Sequence, residues 1–106
     1  MTKATIQPGV CGFTTVLLAE TCGDTLVFSW ESACPNLQKL AGTLPPFDPI
    51  AELFSRNLAD TQLFGLLAKA LPHAACPLYA AFFKIMEAEA GMALPRDVSI
   101  CFEKEA

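Results

Sequence analysis

The chain has 106 residues, of which 53% are hydrophobic and 17% charged, and its formal net charge is −4. This length fits one domain, residues 1–106, which is long enough to bury a core without disulfides or a metal. The seven Lys and Arg residues are spread along the chain, so no basic patch for nucleic acid is expected. The high apolar content predicts a surface that meets a protein partner or a second copy in a homodimer.

The sequence favours a cytoplasmic protein without membrane contact. Its first ten residues lack the apolar stretch of a secretory signal. The most apolar window, residues 63–83, is interrupted by Lys69, Pro72 and Pro77, so it is no membrane span of about 20 residues. In that compartment the five cysteines are expected to be free thiols, metal ligands or catalytic groups rather than disulfides.

Three β-strands are predicted in the first third of the chain. The first contains Ala4 and Ile6, and the second covers residues 13–20, which are rich in Thr, Val and Leu. The third places three apolar side chains on one face, those of Leu26, Phe28 and Trp30. Because the connections are too short for a crossover, the three strands are expected to form an antiparallel meander.

Four helices are predicted next, over residues 35–44, 48–56, 57–71 and 77–90. Asp48-Pro49 is a typical N-cap followed by a proline in the first turn, and Asn57 is the expected cap of the third helix. The second helix is expected to bury three side chains, those of Ile50, Leu53 and Phe54. The fourth helix has an apolar surface wide enough to suggest a dimer interface.

The end of the chain is predicted to return to the sheet. Val98, Ile100 and Phe102 alternate with polar residues, the pattern of a half-buried strand. The predicted fold is therefore α+β with two layers: a mostly antiparallel four-stranded sheet, in the order β-β-β-α-α-α-α-β, with the helices packed on one face.

The tripeptide Ala-Cys-Pro occurs twice and places Cys34 and Cys76 at the starts of predicted helices. The partial positive charge at a helix N-terminus favours a thiolate, which is the form that reacts and binds metals. Cys11 lies in a glycine-rich turn, and His73 precedes Cys76 by three residues. These four residues are the candidate metal ligands, and the three cysteines are the candidate cofactor-binding residues.

Other interpretations of these residues stay open. Free cysteines are often buried packing residues, and Cys76 with His73 is also compatible with a thiol enzyme, although no catalytic residue is assigned. The intervals between Cys11, Cys34 and Cys76 contain no C-x2-C pair, which excludes a zinc finger. A site assembled by the fold remains possible, whereas the other two cysteines are not expected to be ligands.

The cysteines occur within a longer pattern that resembles a family of small uncharacterised prokaryotic proteins. The resemblance covers nearly the whole chain and rests on four segments: Cys11-Gly12-Phe13 with Thr14-Thr15-Val16, Ser32-Ala33-Cys34, Ala75-Cys76-Pro77, and residues 91–100 with the sequence GMALPRDVSI. It implies a compact cytoplasmic domain without an assigned reaction.

The order of the cysteines is also similar to that in iron–sulfur cluster assembly scaffolds of the IscU/NifU type. Those scaffolds have one cysteine followed by glycine between the first strands, one after the third strand, and one that opens a late helix, like Cys11, Cys34 and Cys76. A histidine directly precedes their last cysteine, whereas here Ala75 precedes Cys76. The resemblance implies an iron–sulfur cluster bound by the three cysteines.

The sequence thus predicts a small thiol-site domain that binds zinc, another metal ion or an iron–sulfur cluster, or accepts sulfur, through Cys11, Cys34 and Cys76. The alternative is a non-enzymatic dimerisation or protein-interaction module whose cysteines are packing residues.

Overall fold

The computed structural model, which describes residues 1–104, begins with an antiparallel sheet in the order β1-β2-β3. The strands are β1 (Thr2–Ile6), β2 (Thr15–Cys22) and β3 (Thr25–Ser32). A two-residue turn led by Gly23, whose φ is +64°, connects β2 and β3, because the twist of a tight hairpin requires such a conformation. Thr15 pairs with Ser32 at one end of this hairpin, and Cys22 pairs with Thr25 at the other.

Within residues 1–104, four α-helices and one short 3-10 helix follow the sheet. They are α1 (Pro35–Gln38), α2 (Pro49–Leu53), the 3-10 helix (Leu58–Asp60), α3 (Gln62–Ala70) and α4 (Leu78–Glu89). All four predicted α-helices are present, but each is shorter than its sequence pattern indicated. Across residues 1–104, no helix has the combination of length and apolar character that a membrane span needs.

The predicted helix caps are partly confirmed. The Asp48 carboxylate accepts hydrogen bonds from the N–H groups of Ile50 and Ala51 at 3.0 and 3.4 Å, as expected for an N-cap. Asn57, however, caps the 3-10 helix rather than α3. Thr61 caps α3, because its hydroxyl accepts from the Phe64 N–H at 3.2 Å.

The prediction of a fourth strand is wrong. Among the described residues the sheet has three strands, and residues 97–102 belong to no strand and are exposed. Alternation shows which side chains share a face, but a strand also needs an edge within hydrogen-bonding distance. The chain turns at Gly91, where φ is +75°, and residues 94–104 are exposed. The fold remains α+β.

The core lies between the sheet and α4, which packs against β1 and β2. Phe82 of α4 is fully buried and meets Phe28 and Trp30 edge-to-face, with ring centroids 4.9 and 5.9 Å apart. This contact confirms that the apolar face of β3 points into the core. Tyr79 and Phe83 also pack against this core, so the wide apolar surface of α4 is largely used within the chain.

Of the three side chains that α2 was expected to bury, only that of Leu53 packs against the core. Ile50 and Phe54 are 62% and 70% exposed, whereas Glu52 is only 8% exposed. The Glu52 carboxylate accepts hydrogen bonds from the N–H groups of Gln62 and Leu63, at 3.1 and 2.7 Å. Glu52 therefore turns inward because it satisfies two N–H groups at the start of α3 that have no partner within the helix.

A second carboxylate connects α4 with the sheet. Glu89 accepts hydrogen bonds from the Thr2 hydroxyl at 2.6 Å and from the Thr21 hydroxyl and N–H at 2.8 and 3.0 Å. The terminal ammonium of Met1 lies 3.5 Å from the same carboxylate. The hydroxyls of Thr2 and Thr21 lower the pKa of Glu89 most, burial opposes them, and the Thr21 N–H and the ammonium lower it further, to about 2. The charged carboxylate thus ties β1 and β2 to the end of α4.

Candidate functional site

Cys11 lies in the connection between β1 and β2 and is exposed. The turn is closed by a hydrogen bond from the Gly12 N–H to the Gly9 carbonyl at 3.0 Å. Both glycines have positive φ, +91° at Gly9 and +72° at Gly12, a conformation that costs other residues free energy. The two glycines therefore shape the turn that carries the Cys11 thiol.

Cys34 follows β3 and is half-buried against the hydrophobic core. It is the N-cap of α1, as predicted, with φ −64° and ψ 116°, and its side chain makes no capping hydrogen bond. Its N–H donates to the Ser32 hydroxyl oxygen at 3.1 Å. The backbone at Cys34 is thus held by the last residue of β3.

A chain of hydrogen bonds connects the segment after Cys11 with Cys34. The Thr15 hydroxyl lies 3.2 Å from the Phe13 carbonyl, to which it donates, and 2.8 Å from the Ser32 hydroxyl. The Ser32 hydroxyl in turn accepts from the Cys34 N–H. Because Thr15 and Ser32 are paired residues of β2 and β3, the sheet register places the Cys11 turn and Cys34 at the same end of the sheet.

Cys76 precedes α4 and is half-buried against the core. Burial raises the pKa of its thiol; a hydrogen bond from the Leu78 N–H opposes this effect in part, and the charges of Cys34 and Cys11 raise the pKa further. The helix N-terminus was expected to favour the thiolate of Cys76. The structure shows the opposite net direction, because desolvation of the sulfur outweighs the single N–H that reaches it.

The register of β2 and β3 places the Cys11 turn and Cys34 at one end of the sheet, and the charges of Cys34 and Cys11 contribute to the raised pKa of Cys76. Within residues 1–104, however, no three His, Cys, Asp or Glu side chains are grouped closely enough to hold a metal ion as they stand. His73 is exposed and is not among the groups that shift the pKa of Cys76.

Tyr79 belongs to this region, although the sequence pattern indicated only a core or interface residue. Its hydroxyl donates to the Leu71 carbonyl at 3.0 Å, and its ring lies 5.5 Å from that of Phe64. Burial and then the charge of Cys76 raise the pKa of Tyr79. Tyr79 thus ties α4 to the start of the loop that carries His73 and Cys76. The sequence did contain one indication of this proximity, because Tyr79 follows Cys76 by three residues, about one helical turn.

The chain belongs to a protein family without an assigned activity. The model of the family described as "Family of unknown function (DUF6951)" matches residues 2–102, which include all three cysteines of the site. Neither the curated proteins nor the solved structures contain a significant match. The expected resemblance to an uncharacterised family is thereby confirmed, while the resemblance to iron–sulfur scaffolds receives no support from these comparisons.

Proposed function

We propose that this protein is a small thiol-site domain that binds a soft metal ion or an iron–sulfur cluster through Cys11, Cys34 and Cys76. The observation that carries this proposal is that the pairing of Thr15 with Ser32 places the Cys11 turn and Cys34 at the same end of the sheet; burial, and then the charges of Cys34 and Cys11, raise the pKa of Cys76. Thiolate sulfur is the preferred ligand of Cu⁺ and iron–sulfur clusters and also suits Zn²⁺. A bound cation would offset the mutual repulsion of three thiolates.

The raised pKa of Cys76 argues against thiol catalysis. A catalytic cysteine needs a lowered pKa, because the thiolate is the nucleophile. A raised pKa keeps Cys76 protonated at neutral pH, so a metal ion must displace this proton when it binds, which lowers metal affinity as the pH falls. The same argument makes Cys76 a poor acceptor of transferred sulfur, since acceptance also requires the thiolate.

The three ligands differ in how firmly the structure holds them. Cys34 and Cys76 pack against the core, so they form the fixed part of the site. Cys11 lies on an exposed turn, and coordination requires that this turn move toward the other two sulfurs, since the side chains as they stand do not surround one ion. His73, which is exposed beside Cys76, is the proposed fourth ligand.

Metal content after anaerobic purification tests the proposal. We expect bound zinc or iron in the wild-type protein, its loss in the Cys34→Ala/Cys76→Ala variant and its retention in Cys22→Ala/Cys101→Ala. The latter is a matched control because both substituted cysteines are exposed and lie outside the site. Visible absorption from bound iron would identify a cluster, and colourless protein with zinc would identify a single ion.

Two results would contradict the proposal. One is equal metal content in both double variants. The other is a wild-type protein that binds no metal after anaerobic reconstitution with Zn²⁺ or with iron and sulfide.

A non-enzymatic interaction module is the second candidate function. It is favoured by the packing of Cys34 and Cys76 against the core, which is typical of cysteines that only fill space. In this case the Cys34→Ala/Cys76→Ala variant loses thermal stability, while neither it nor the wild type binds metal. Melting curves recorded beside the metal analysis therefore separate the two candidates.

A further inference from the structure

The segment after α4 has an apolar face that nothing in the described part of the chain covers. Three of its side chains are largely exposed: Val98 at 66%, Ile100 at 78% and Phe102 at 91%. Residues 97–104 make no hydrogen bond to any other described residue. Their alternating apolar and polar side chains suit a strand that is buried on one face.

The sheet offers a free edge of matching length. β1 has five residues and, in the part of the chain that the structure describes, pairs only with β2 on one side. Its other side presents the unpaired N–H and C=O groups typical of an edge strand. Ala4 and Ile6 of β1 pack against the core, whereas Lys3 lies on the other face and is exposed. A strand added here would continue both faces of the sheet.

The opposite edge of the sheet suits this segment less well. On β3, Leu26 already exchanges two hydrogen bonds of 2.9 Å with Phe47. The one charged residue of β3 is Glu31, whereas that of β1 is Lys3. On the face opposite its apolar side chains the segment carries Asp97 and Glu103, whereas Lys104 falls on the apolar side, so charge complementarity on the face of Lys3 favours β1 over β3.

We propose that residues 98–102 of one copy add as an antiparallel strand to the free edge of β1 in a second copy, and that the exchange is reciprocal. Within one chain this segment forms no strand, so the pairing is between chains. The same two surfaces occur on every copy, and a twofold arrangement satisfies both at once. The proposal does not depend on the cysteine site.

The pattern of the two strands fixes the register. When Ile100 lies opposite Ala4, Val98 and Phe102 fall on the core side of the extended sheet, beside Ile6 and Thr2. Lys3 then faces Cys101 on the other side, and Glu103 is its diagonal neighbour. Cross-strand neighbours of opposite charge stabilise such a pair.

The first experiment removes the apolar face of the segment. We expect light scattering after size exclusion to show a dimer for the wild-type protein, a monomer for Ile100→Asp and a dimer for Val10→Asp. Val10 is the matched control because it is fully exposed and lies in the turn before β2. Since both side chains are exposed, circular dichroism should show folded protein in each case. A wild-type protein that stays monomeric at every concentration, or an Ile100→Asp dimer, would overturn the proposal.

The second experiment tests the register through charge. Lys3→Glu places like charges at diagonal positions and should raise the dimer dissociation constant by about two- to fivefold at low salt. The double variant Lys3→Glu/Glu103→Lys should restore the wild-type value. Failure of the second substitution to restore dimerisation would overturn this register. The Cys34→Ala/Cys76→Ala variant should dimerise normally, so this result is separable from that of the metal site.

Discussion

The hydroxyl groups of Thr15 and Ser32 lie 2.8 Å apart across the β2–β3 pair. Thr15 donates its proton to the Phe13 carbonyl, so the Ser32 hydroxyl is the donor between the two side chains. Ser32 then accepts from the Cys34 N–H. Each hydroxyl thus donates once and accepts once, and the hydrogen-bond chain connects both cysteine-bearing connections of the sheet.

Replacement of Ser32 by alanine should interrupt this hydrogen-bond chain. It removes the acceptor of the Cys34 N–H and the donor to Thr15, whose side chain is 1% exposed. We expect the free energy of unfolding to fall by about 1–2 kcal/mol, measured by urea denaturation. Ser29→Ala is the matched control, because Ser29 is an exposed residue of the same strand, and it should change stability by less than about 0.5 kcal/mol. Equal effects of the two substitutions would contradict this role of Ser32.

Removal of a neighbouring thiol should lower the pKa of Cys76. The charge of Cys34 raises that pKa, so Cys34→Ser should shift the pH dependence of Cys76 alkylation to lower pH. Iodoacetamide labelling followed by peptide mass spectrometry measures this midpoint for Cys76 alone. Cys101→Ser is the control and should leave the midpoint unchanged. An unchanged midpoint in Cys34→Ser would show that the two sulfurs do not interact.

Glu89 should make stability depend on pH in the acid range. Its pKa is about 2 in the folded protein against an ordinary value of 4.5, so its contribution is complete above pH 4.5 and is lost as the pH falls toward 2. Glu89→Gln should therefore destabilise the protein at pH 7, by about 1–3 kcal/mol, and much less at pH 2. Denaturation of both proteins across this range measures the difference.

A surface glutamate on the same helix provides the control for Glu89. Glu87 lies 3.7 Å from Lys84 in a pair that is open to solvent, and such pairs contribute little. Glu87→Gln should change stability by less than about 0.5 kcal/mol at either pH. A loss at pH 7 that persists undiminished at pH 2 in Glu89→Gln would show that the charge of the carboxylate is not the cause.

Loss of the Glu52 carboxylate should destabilise the start of α3. Glu52→Ala leaves the N–H groups of Gln62 and Leu63 without their acceptor, and the cost expected for such groups is about 1–3 kcal/mol. The exposed Glu20 is the control, and Glu20→Ala should be nearly neutral. Amide hydrogen exchange should show faster exchange at Leu63 in Glu52→Ala only. Unchanged exchange at Leu63 would contradict the capping role of Glu52.

The elements that the sequence predicted well are those set by local pattern. Leu26, Phe28 and Trp30 share a face because side chains alternate along any strand, and that face meets Phe82 in the structure. Asp48 caps α2 through N–H groups two and three residues away. In both cases the deciding interactions depend on residue spacing, which the sequence displays directly.

The elements that the sequence missed depend on distant partners. Glu52 faces inward because the start of α3 lies beside it, and Ile50 and Phe54, which were expected to be buried, are exposed. The wrong prediction for Cys76 has the same cause. Its position before a helix indicated a thiolate, whereas burial by residues distant in sequence favours the thiol. The intervals between the three cysteines in the sequence likewise could not predict the distances between their sulfurs. Those distances depend on the register of β2 and β3 and on the position of α4.

The contact between Thr2 and Glu89 also affects the order of folding. The two residues are 87 positions apart, so loop-closure entropy opposes this contact until most of the intervening chain is ordered. The β2–β3 hairpin, whose strands are joined by a two-residue turn, can form before α4 exists. During synthesis from the N-terminus, β1 therefore gains its anchor on α4 only after residue 89 has left the ribosome. Before α4 has formed, β1 is the strand of the sheet that is most exposed to non-native pairing.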